Sequence, residues 1–393
     1  MTRRDVVFVD GARSPFGRAG EKGVLWGIRA DDLASDILRG LLARHPQVDP
    51  AAIDDVVVAA TTQAGDQGIT IGRTTALLGG LPHSVPGFAI DRMCAGAMTA
   101  VTSVAGSIAF GAYDIAIAGG VEHMGRHPMG GDHHLNPRFA EEGIMTPEAM
   151  VMGVTAENLH DRYPALTKER ADRFAMGSQH KAQAAYESGS LSADIIPITV
   201  GDHVVDTDQG RRPETSMEGL ADLKTPFREG GFVTAGNASP LTDGATMAII
   251  AGADTAQELG LPVGMRLVSY AFAGVDPDVM GLGPIPSTEK ALRKAGLSID
   301  DIGLFELNEA FAVQVLSFLD HFGIADDDSR VNPDGGAIAL GHPLAASGVR
   351  LMIQLARQFS TRPDVRYGLT AMCVGLGQGG TVIWENPHWS ERS

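Results

Sequence analysis

Apolar positions in this chain follow two rhythms that take turns. Val6 to Val9 is an unbroken apolar run, the pattern of a strand covered on both faces, and Val56 to Ala59 and Gly87 to Ile90 repeat it. Between the first two, Asp31 to His45 carries leucine, isoleucine and alanine at three- and four-residue spacing and predicts an amphipathic helix. Ala95 to Phe110 has no charged side chain on any face, so as a helix it must be covered all round, in the centre of a layered α/β fold. A further strand over Asp114 to Gly119 closes on Gly119-Gly120.

The rhythm is lost from Val121 to about Pro240, where Met, His, Gly and Pro are dense and one helix, about Lys168 to Ser188, stands out. Such a stretch reads as an insertion that covers a site. Strands return over Thr246 to Ala251 and Met265 to Ala271, and Leu304 to Leu307 runs into Asn308. A helix over Ala345 to Phe359 and strands over Tyr367 to Met372 and Thr381 to Trp384 complete the series, with a tail expected to fray from Asn386. The expectation is an α/β chain of two duplicated halves, residues 1–121 with 241–263 and residues 264–393, with an inserted loop domain at 122–240.

At 393 residues the chain exceeds what one core usually supports, in keeping with a duplicated plan. With 44% apolar and 20% charged residues, and no unbroken apolar stretch of the roughly 20 residues that span a bilayer, its make-up is that of a globular enzyme without a membrane span. A formal charge of -17 argues against nucleic acid or an anionic membrane as partner, so a phosphate-bearing ligand has to rely on a local basic patch. The two cysteines form neither a metal knuckle nor a disulfide framework and point to a reducing compartment. Arg3-Arg4 lacks the apolar region of an export signal and Glu391-Arg392-Ser393 matches no address, so the cytoplasm is the expected location.

Both cysteines lie in Met-Cys-x-Gly segments, Met93 to Gly96 and Met372 to Gly375, each ending a short apolar run. One strand-to-turn arrangement with one thiol in each half is the natural reading. Cys94 precedes the buried helix, whose N-terminus favours the thiolate that attacks carbonyl carbon. Taken alone, a free cysteine is more often a small buried hydrophobe. Asn332 to Pro343 adds a Gly-rich turn that presents His342 just before the helix at Ala345. Glycine lets backbone pass close to a ligand, and an imidazole can serve as base to a nearby thiol. Leu307-Asn308-Glu309-Ala310-Phe311 puts a polar pair at another strand end, where open α/β sheets gather their sites.

These residues, with Arg13 to Gly17, Gly120 to Met124, Thr155 to Asn158, Val233 to Ser239, Gly335 to His342 and Cys373 to Gly379 in that order, make the chain resemble the thiolases from about Phe8 to Glu385. Within them it is most similar to the bacterial degradative 3-ketoacyl-CoA thiolases of fatty-acid β-oxidation. The resemblance implies duplicated halves in a layered αβαβα arrangement. It also implies CoA-dependent cleavage of 3-ketoacyl-CoA to acetyl-CoA and a shortened acyl-CoA through a cysteine acyl-enzyme. In that scheme Cys94 is the nucleophile, and His342 is its base and, with a water held by Asn308, forms one oxyanion hole. Cys373 is the second acid/base, and the backbone N–H groups of Cys94 and Gly375 form the other oxyanion hole. Coenzyme A enters as substrate, with no permanently bound cofactor, metal or flavin.

For CoA the resemblance implies Arg212, Leu223, Phe227, Ala235 and Ser239 along the adenine and pantetheine portions, and Met152 and Phe311 beside the thioester. Arg212 shares a basic group with Arg211, Lys224 and Arg228 that could offset the acidic surface near a nucleotide phosphate. Such charges could equally be solvated, and Leu223 and Phe227, at i and i+4, could equally be core. His123, His127, His133 and His134 come without the carboxylate or cysteine spacing of a metal site, so no metal is expected.

The chain departs from many relatives in Cys94-Ala95-Gly96-Ala97-Met98 and in Leu344-Ala345-Ala346, though both keep small volume. Cys373 to Gly379 lacks the triple glycine common in biosynthetic acetoacetyl-CoA thiolases, and Val151 stands where that group tends to have His; both favour β-oxidation. The alternatives are a biosynthetic acetyl-CoA acetyltransferase with the same catalytic residues and, more remotely, a non-catalytic lipid-binding protein of this fold. The resemblance further implies a homodimer or dimer of dimers, with its contact near Phe88 to Asp91, and a hydratase/dehydrogenase partner subunit.

Overall fold

The computed structural model describes residues 4–130 and 135–390. Arg3, His133, His134 and Glu391-Arg392-Ser393 lie outside the described residues. The strands are β1 (Val6–Arg13), β2 (Gly17–Arg18), β3 (Val56–Ala59), β4 (Gly87–Ile90), β5 (Ile115–His123), β6 (Ile198–Val200), β7 (His203–Val205), β8 (Thr242–Gly252), β9 (Met265–Gly274), β10 (Ile302–Leu307), β11 (Tyr367–Val374) and β12 (Gln378–Glu385). One sheet runs β10-β11-β12-β9-β1-β8-β5-β3-β4, with β2 paired to β8, and β6 and β7 form a separate hairpin.

That sheet is two half-sheets meeting where β1 pairs with β9 through Val7 with Arg266 and Phe8 with Met265. Each half repeats one pattern. Its first strand lies antiparallel to its last (β1 with β8, β9 with β12), the last antiparallel to the next (β5, β11), and a parallel strand follows (β3, β10). The parallel neighbour β4 of the first half is matched in the second by a bridge between Phe305 and Val331.

The longer helices are placed as layers. Those of the first half are α1 (Ala30–Arg44), α2 (Ile71–Leu78) and α3 (Gly96–Phe110). The segment between β5 and β8 holds α4 (Arg138–Glu141), α5 (Met152–Arg162), α6 (Lys168–Glu187) and α7 (Met217–Ala221). After β8 come α8 (Ala253–Glu258), α9 (Pro284–Ala295), α10 (Ala312–Phe322), α11 (Ala337–Leu340) and α12 (Ser347–Thr361). α1 and α2 cover the outside of one half-sheet, α9 and α10 the outside of the other, and α3 and α12 lie between the two. The apolar core divides accordingly: Met98, Val101 and Val104 meet Val349, Met352 and Leu355 in the middle, while Leu33 and Ile37 anchor one outer cluster and Leu316 and Phe318 the other.

Several expectations need correction. Gly119-Gly120 does not end its strand, because β5 continues through Glu122 and His123, pairing with Gly244 and Asp243. The glycines serve close approach: a Cβ on Gly119 would stand 2.1 Å from Thr246 O and one on Gly120 2.2 Å from Ala345 O. The insertion therefore leaves the sheet after His123 rather than at Val121. Met93–Phe110 is long and apolar enough to cross a bilayer by length and composition, yet it is the middle-layer helix, 67% buried. It is not covered all round, since Phe110 at its end is 76% exposed. The tail does not fray at Asn386, whose Nδ2 donates to Val365 O at 2.8 Å and Arg362 O at 2.9 Å. Finally, the cysteines are not equivalent by the duplication. Cys373 lies inside β11, the counterpart of β5, whereas Cys94 precedes α3, whose counterpart α12 is preceded by His342.

Candidate active site

Three segments meet where α3 and α12 begin. A 3₁₀ turn, Met93–Ala95, leads into α3, a second, Leu344–Ala346, leads into α12, and β11 delivers Cys373 and then Gly375 beside them. Small residues permit the approach: a Cβ on Gly96 would lie 2.7 Å from Ala59 Cβ and 3.2 Å from Ala345 Cβ. Met93 has φ of +43°, a left-handed conformation rare outside glycine, and its N–H donates to Asp91 Oδ1 at 2.6 Å. The turn that carries Cys94 is thus held in a shape its own residues do not prefer.

Cys94 and Cys373 are buried free thiols. Burial pushes Cys94 up to about 11, while the backbone N–H groups of Gly375 and of Cys94 itself face the sulfur and oppose the shift. The thiolate expected from the helix N-terminus is therefore not the resting state: Cys94 sits in the turn before α3, and desolvation outweighs the nearby N–H groups. Cys373 is also raised, by burial first and then by the adjoining Cys94. His342 is lowered to about 3 by burial and by the charge of Arg350. Two neutral thiols and a neutral imidazole share the site.

The hydrogen bonds fix the imidazole's tautomer. Ser347 Oγ donates to Pro343 O at 3.0 Å and lies 2.6 Å from His342 Nδ1, so it accepts the Nδ1 proton and leaves the lone pair on Nε2. His342 N–H donates to Thr242 Oγ1 at 3.0 Å. Asn308, directly after β10, places Nδ2 3.3 Å from His342 Nε2, and its Oδ1 accepts from Arg350 Nη2 at 3.0 Å. Behind them Glu122 Oε2 accepts from the N–H groups of Thr61 and Ala345, both at 3.1 Å, tying β5 to the start of the second turn.

Residues 6–254 match the family described as thiolase, N-terminal domain, and residues 261–386 the one described as thiolase, C-terminal domain. The chain belongs to the thiolase family. This thiolase is 42% identical over 388 residues to the 3-ketoacyl-CoA thiolase of Photobacterium profundum, across 97% of this chain and 99% of that protein. It is 42% identical over 406 residues to the 3-oxoadipyl-CoA/3-oxo-5,6-dehydrosuberyl-CoA thiolase of Escherichia coli (strain K12), with the same two shares of 97% and 99%. Its structure superposes on the Bacillus anthracis acetyl-CoA acetyltransferase with a TM-score of 0.87 and 35% identity, over 98% of this chain and 99% of that one.

In this thiolase the residues expected along CoA lie in the segment between β5 and β8, save Phe311, which directly precedes α10. A Cβ on Gly375 would lie 2.8 Å from Met93 Sδ and 3.6 Å from Met152 Sδ, so Met152 borders the sulfur's surroundings. Phe311 is buried, and its segment pairs with the one holding Ala235 and Ser239: Ser239 N–H donates to Ala310 O at 3.0 Å and Ala312 N–H to Asn237 O at 2.8 Å. Leu223 packs on Gly236 and Phe227 on Gly153. Leu223 and Phe227 lie beyond α7 and share no helix, and Phe227 is 38% exposed, so it is not core. Arg212 stands apart, with an exposed side chain and its backbone N–H on Gln179 Oε1 at 2.8 Å. Of its basic neighbours, Arg211 stacks on Tyr186 and Arg228 pairs with Asp161.

His123 is held by backbone, its Nε2 on Leu25 O at 3.2 Å and its Nδ1 accepting from Arg126 N–H at 3.3 Å, and His127 is held by Asp66. Among the described residues no group of three His, Cys, Asp or Glu converges as metal ligands do. Sequence reading missed Thr242, Ser347 and Arg350 and assigned Glu122 to the insertion. Arg350, flanked by Val349 and Leu351, carried a signal, because a helix buries an arginine only with partners.

Proposed function

We propose that this thiolase cleaves 3-ketoacyl-CoA with CoA to give acetyl-CoA and a shortened acyl-CoA, as fatty-acid β-oxidation requires. The observation that carries the reading is convergence on one sulfur: the N–H groups of Gly375 and Cys94 face Cys94 Sγ, Cys373 adjoins it, and a neutral His342 keeps its Nε2 lone pair. His342 Nε2 takes the thiol proton as Cys94 attacks the 3-keto carbon, and the two N–H groups receive the oxyanion. The bond between C2 and C3 then breaks and its electron pair passes into the acetyl-CoA enolate. The enolate oxygen lies against His342 and a water on Asn308 while the Cys373 thiol protonates the carbon. Cys373, now a thiolate, takes the thiol proton of incoming CoA, whose sulfur attacks acyl-Cys94; the departing Cys94 sulfur regains its proton from His342.

Coenzyme A is a substrate here, with no resident cofactor in the chemistry. Its pantetheine follows Met152, Phe311, Ser239 and Ala235, with Leu223, Phe227 and Arg212 farther out. In this reading residues 1–121 with 241–263 and residues 264–393 are the catalytic halves, and residues 122–240, less the part of β5 they contain, form the CoA-binding cover. The assembly is a homodimer through β4, the terminal strand of the sheet, beside which Phe88, Leu77 and Leu78 are 38%, 42% and 46% exposed. The enzyme works in the cytoplasm.

The likeness to an acetyl-CoA acetyltransferase favours a second reading, condensation of acetyl-CoA units by the same groups. The deciding experiment measures kcat/KM for CoA-dependent cleavage along 3-ketoacyl-CoA substrates of roughly four to sixteen carbons, the range of pocket sizes at issue, and of 3-oxoadipyl-CoA. Activity that holds or rises with length supports the degradative reading. Activity confined to acetoacetyl-CoA replaces it with the acetyltransferase, and a preference for the dicarboxylic substrate narrows the pathway. No activity with any substrate refutes both.

A further inference from the structure

We propose that Arg350 is a positioning residue of this thiolase: its guanidinium decides which end of the Asn308 amide faces His342 and thereby keeps His342 and the water on Asn308 available as donors to the enolate oxygen. The inference rests on the roles given above to Cys94, His342 and Asn308. Arg350 lies on α12, three residues beyond Ser347, and is fully buried. Its Nη2 donates to Asn308 Oδ1 at 3.0 Å and its Nη1 to Gln354 Oε1 at 2.6 Å.

The nearest carboxylate, Glu306, stays 3.9 Å away although both side chains are 0% exposed. Glu306 Oε2 and Arg350 Nε make no hydrogen bond, and Glu306 Oε1 accepts from Gln358 instead. A buried arginine that served only as an ion-pair partner would meet the carboxylate with its fork, the arrangement that best offsets desolvation. Here the fork is turned to two neutral amide oxygens. One of these belongs to the residue beside His342.

The two ends of an asparagine amide are nearly the same shape, so only bonding decides between them. With Oδ1 on Arg350, Nδ2 has to face His342, 3.3 Å from Nε2. Turned round, Asn308 would set Oδ1 against the His342 Nε2 lone pair and, once His342 carries the proton, would take the Nε2–H that the enolate oxygen needs. Burial first, and then the Arg350 charge behind the amide, keep His342 unprotonated. Arginine is required because lysine offers no second arm by which Gln354 can hold it.

The test is steady-state thiolysis by the full chain with Arg350→Met, Arg350→Lys, Asn308→Ala and the Asn308→Ala/Arg350→Met double variant. Arg350→Met should lower kcat about 10- to 100-fold, the worth of a buried charged hydrogen bond, with KM changed by less than about twofold. Added to Asn308→Ala it should cost no more than about a further twofold, because both changes remove one function. Arg350→Lys, which keeps charge and length, should fold and still lose most of the kcat. Multiplying losses in the double variant, or a wild-type kcat in Arg350→Lys, overturns the proposal; the lysine variant decides alone if the methionine variant does not fold. Mass spectrometry of acylated wild-type protein separates this from the underlying reading. Acyl-Cys94 with multiplying losses sinks Arg350 only, whereas no acyl-Cys94 sinks the catalytic roles and this inference with them.

Discussion

Replacing Gly348 by alanine puts a methyl group where α12 crosses the start of α3, and the structure sets its consequence. The added Cβ would stand 2.5 Å from Met98 N and 2.8 Å from Met98 Cβ. Ordinary contact between such atoms is about 3.5 Å, so the two helix starts must part by roughly 1 Å. No side-chain rotation relieves it, because the nearest atom is backbone. Overpacking of this kind costs about 1–3 kcal/mol of stability. The catalytic effect is larger, because Cys94 precedes Met98 by only four residues and His342 precedes Gly348 by six. Moving a nucleophile from its base by about 1 Å can cost 10²-fold. We expect kcat/KM for thiolysis to fall about 10²-fold in a protein that still folds, as judged by circular dichroism. Gly106→Ala, on the facing helix α3 but with open space around its Cβ, is the control and should keep wild-type activity. Equal activity in the two variants would refute the reasoning.

Cys94→Ala should abolish the acyl-enzyme seen by mass spectrometry after mixing with 3-ketoacyl-CoA; a trapped acyl group on that variant removes Cys94 from its role. Ser347→Ala frees His342 Nδ1 and should lower kcat about 10-fold with little change in KM, and an unchanged kcat would mean that the tautomer needs no such partner. Asp208→Ala strands Arg13, which donates to it at 2.6 and 2.9 Å with both side chains 0% exposed, and should cost about 3–5 kcal/mol in urea unfolding. His342 titrates at about 3 in the fold against 6.5 unfolded. The native state therefore binds fewer protons in that window, so its contribution is present above pH 6.5 and is lost as pH falls toward 3. Up to about 2 kcal/mol should disappear between pH 6.5 and 5 in the wild type but not in His342→Gln, and matching urea profiles would contradict it.

Much of this fold was legible because strands covered on both faces are written as unbroken apolar runs. Val56 to Ala59 is such a strand; Gly87 to Ile90 is observed at the expected residues but is only partly covered, because β4 ends the sheet, and the apolar run after Cys94 is the middle-layer helix. Local signals failed where a residue answers to a distant neighbour. Gly119 and Gly120 looked like a strand end, but they make room for Thr246 and Ala345, more than a hundred residues away. α9 opens with Pro284-Ile285-Pro286, proline being well suited to a first helical turn. The same limit governs the site. Cys94, His342 and Asn308 stood out by motif, whereas Arg350 becomes meaningful only once Asn308 and Glu306 lie beside it. The thiolate expected of Cys94 failed because a linear reading sees the following helix but not the depth of burial.

Cys94 and His342 ride on the starts of the two helices that both half-sheets enclose. Amides in those helices exchange with deuterium only when the whole middle of the molecule opens, so their release, the decay of turnover and global melting should follow one curve. The segment between β5 and β8 is a different case, since it lies over the sheet rather than within it. On the CoA contacts proposed for this segment, a protease cut there should leave a nicked enzyme whose thiols still react with small alkylating agents while its grip on the nucleotide end of CoA is lost. On that proposal, reactivity and recognition are carried by different parts of one chain.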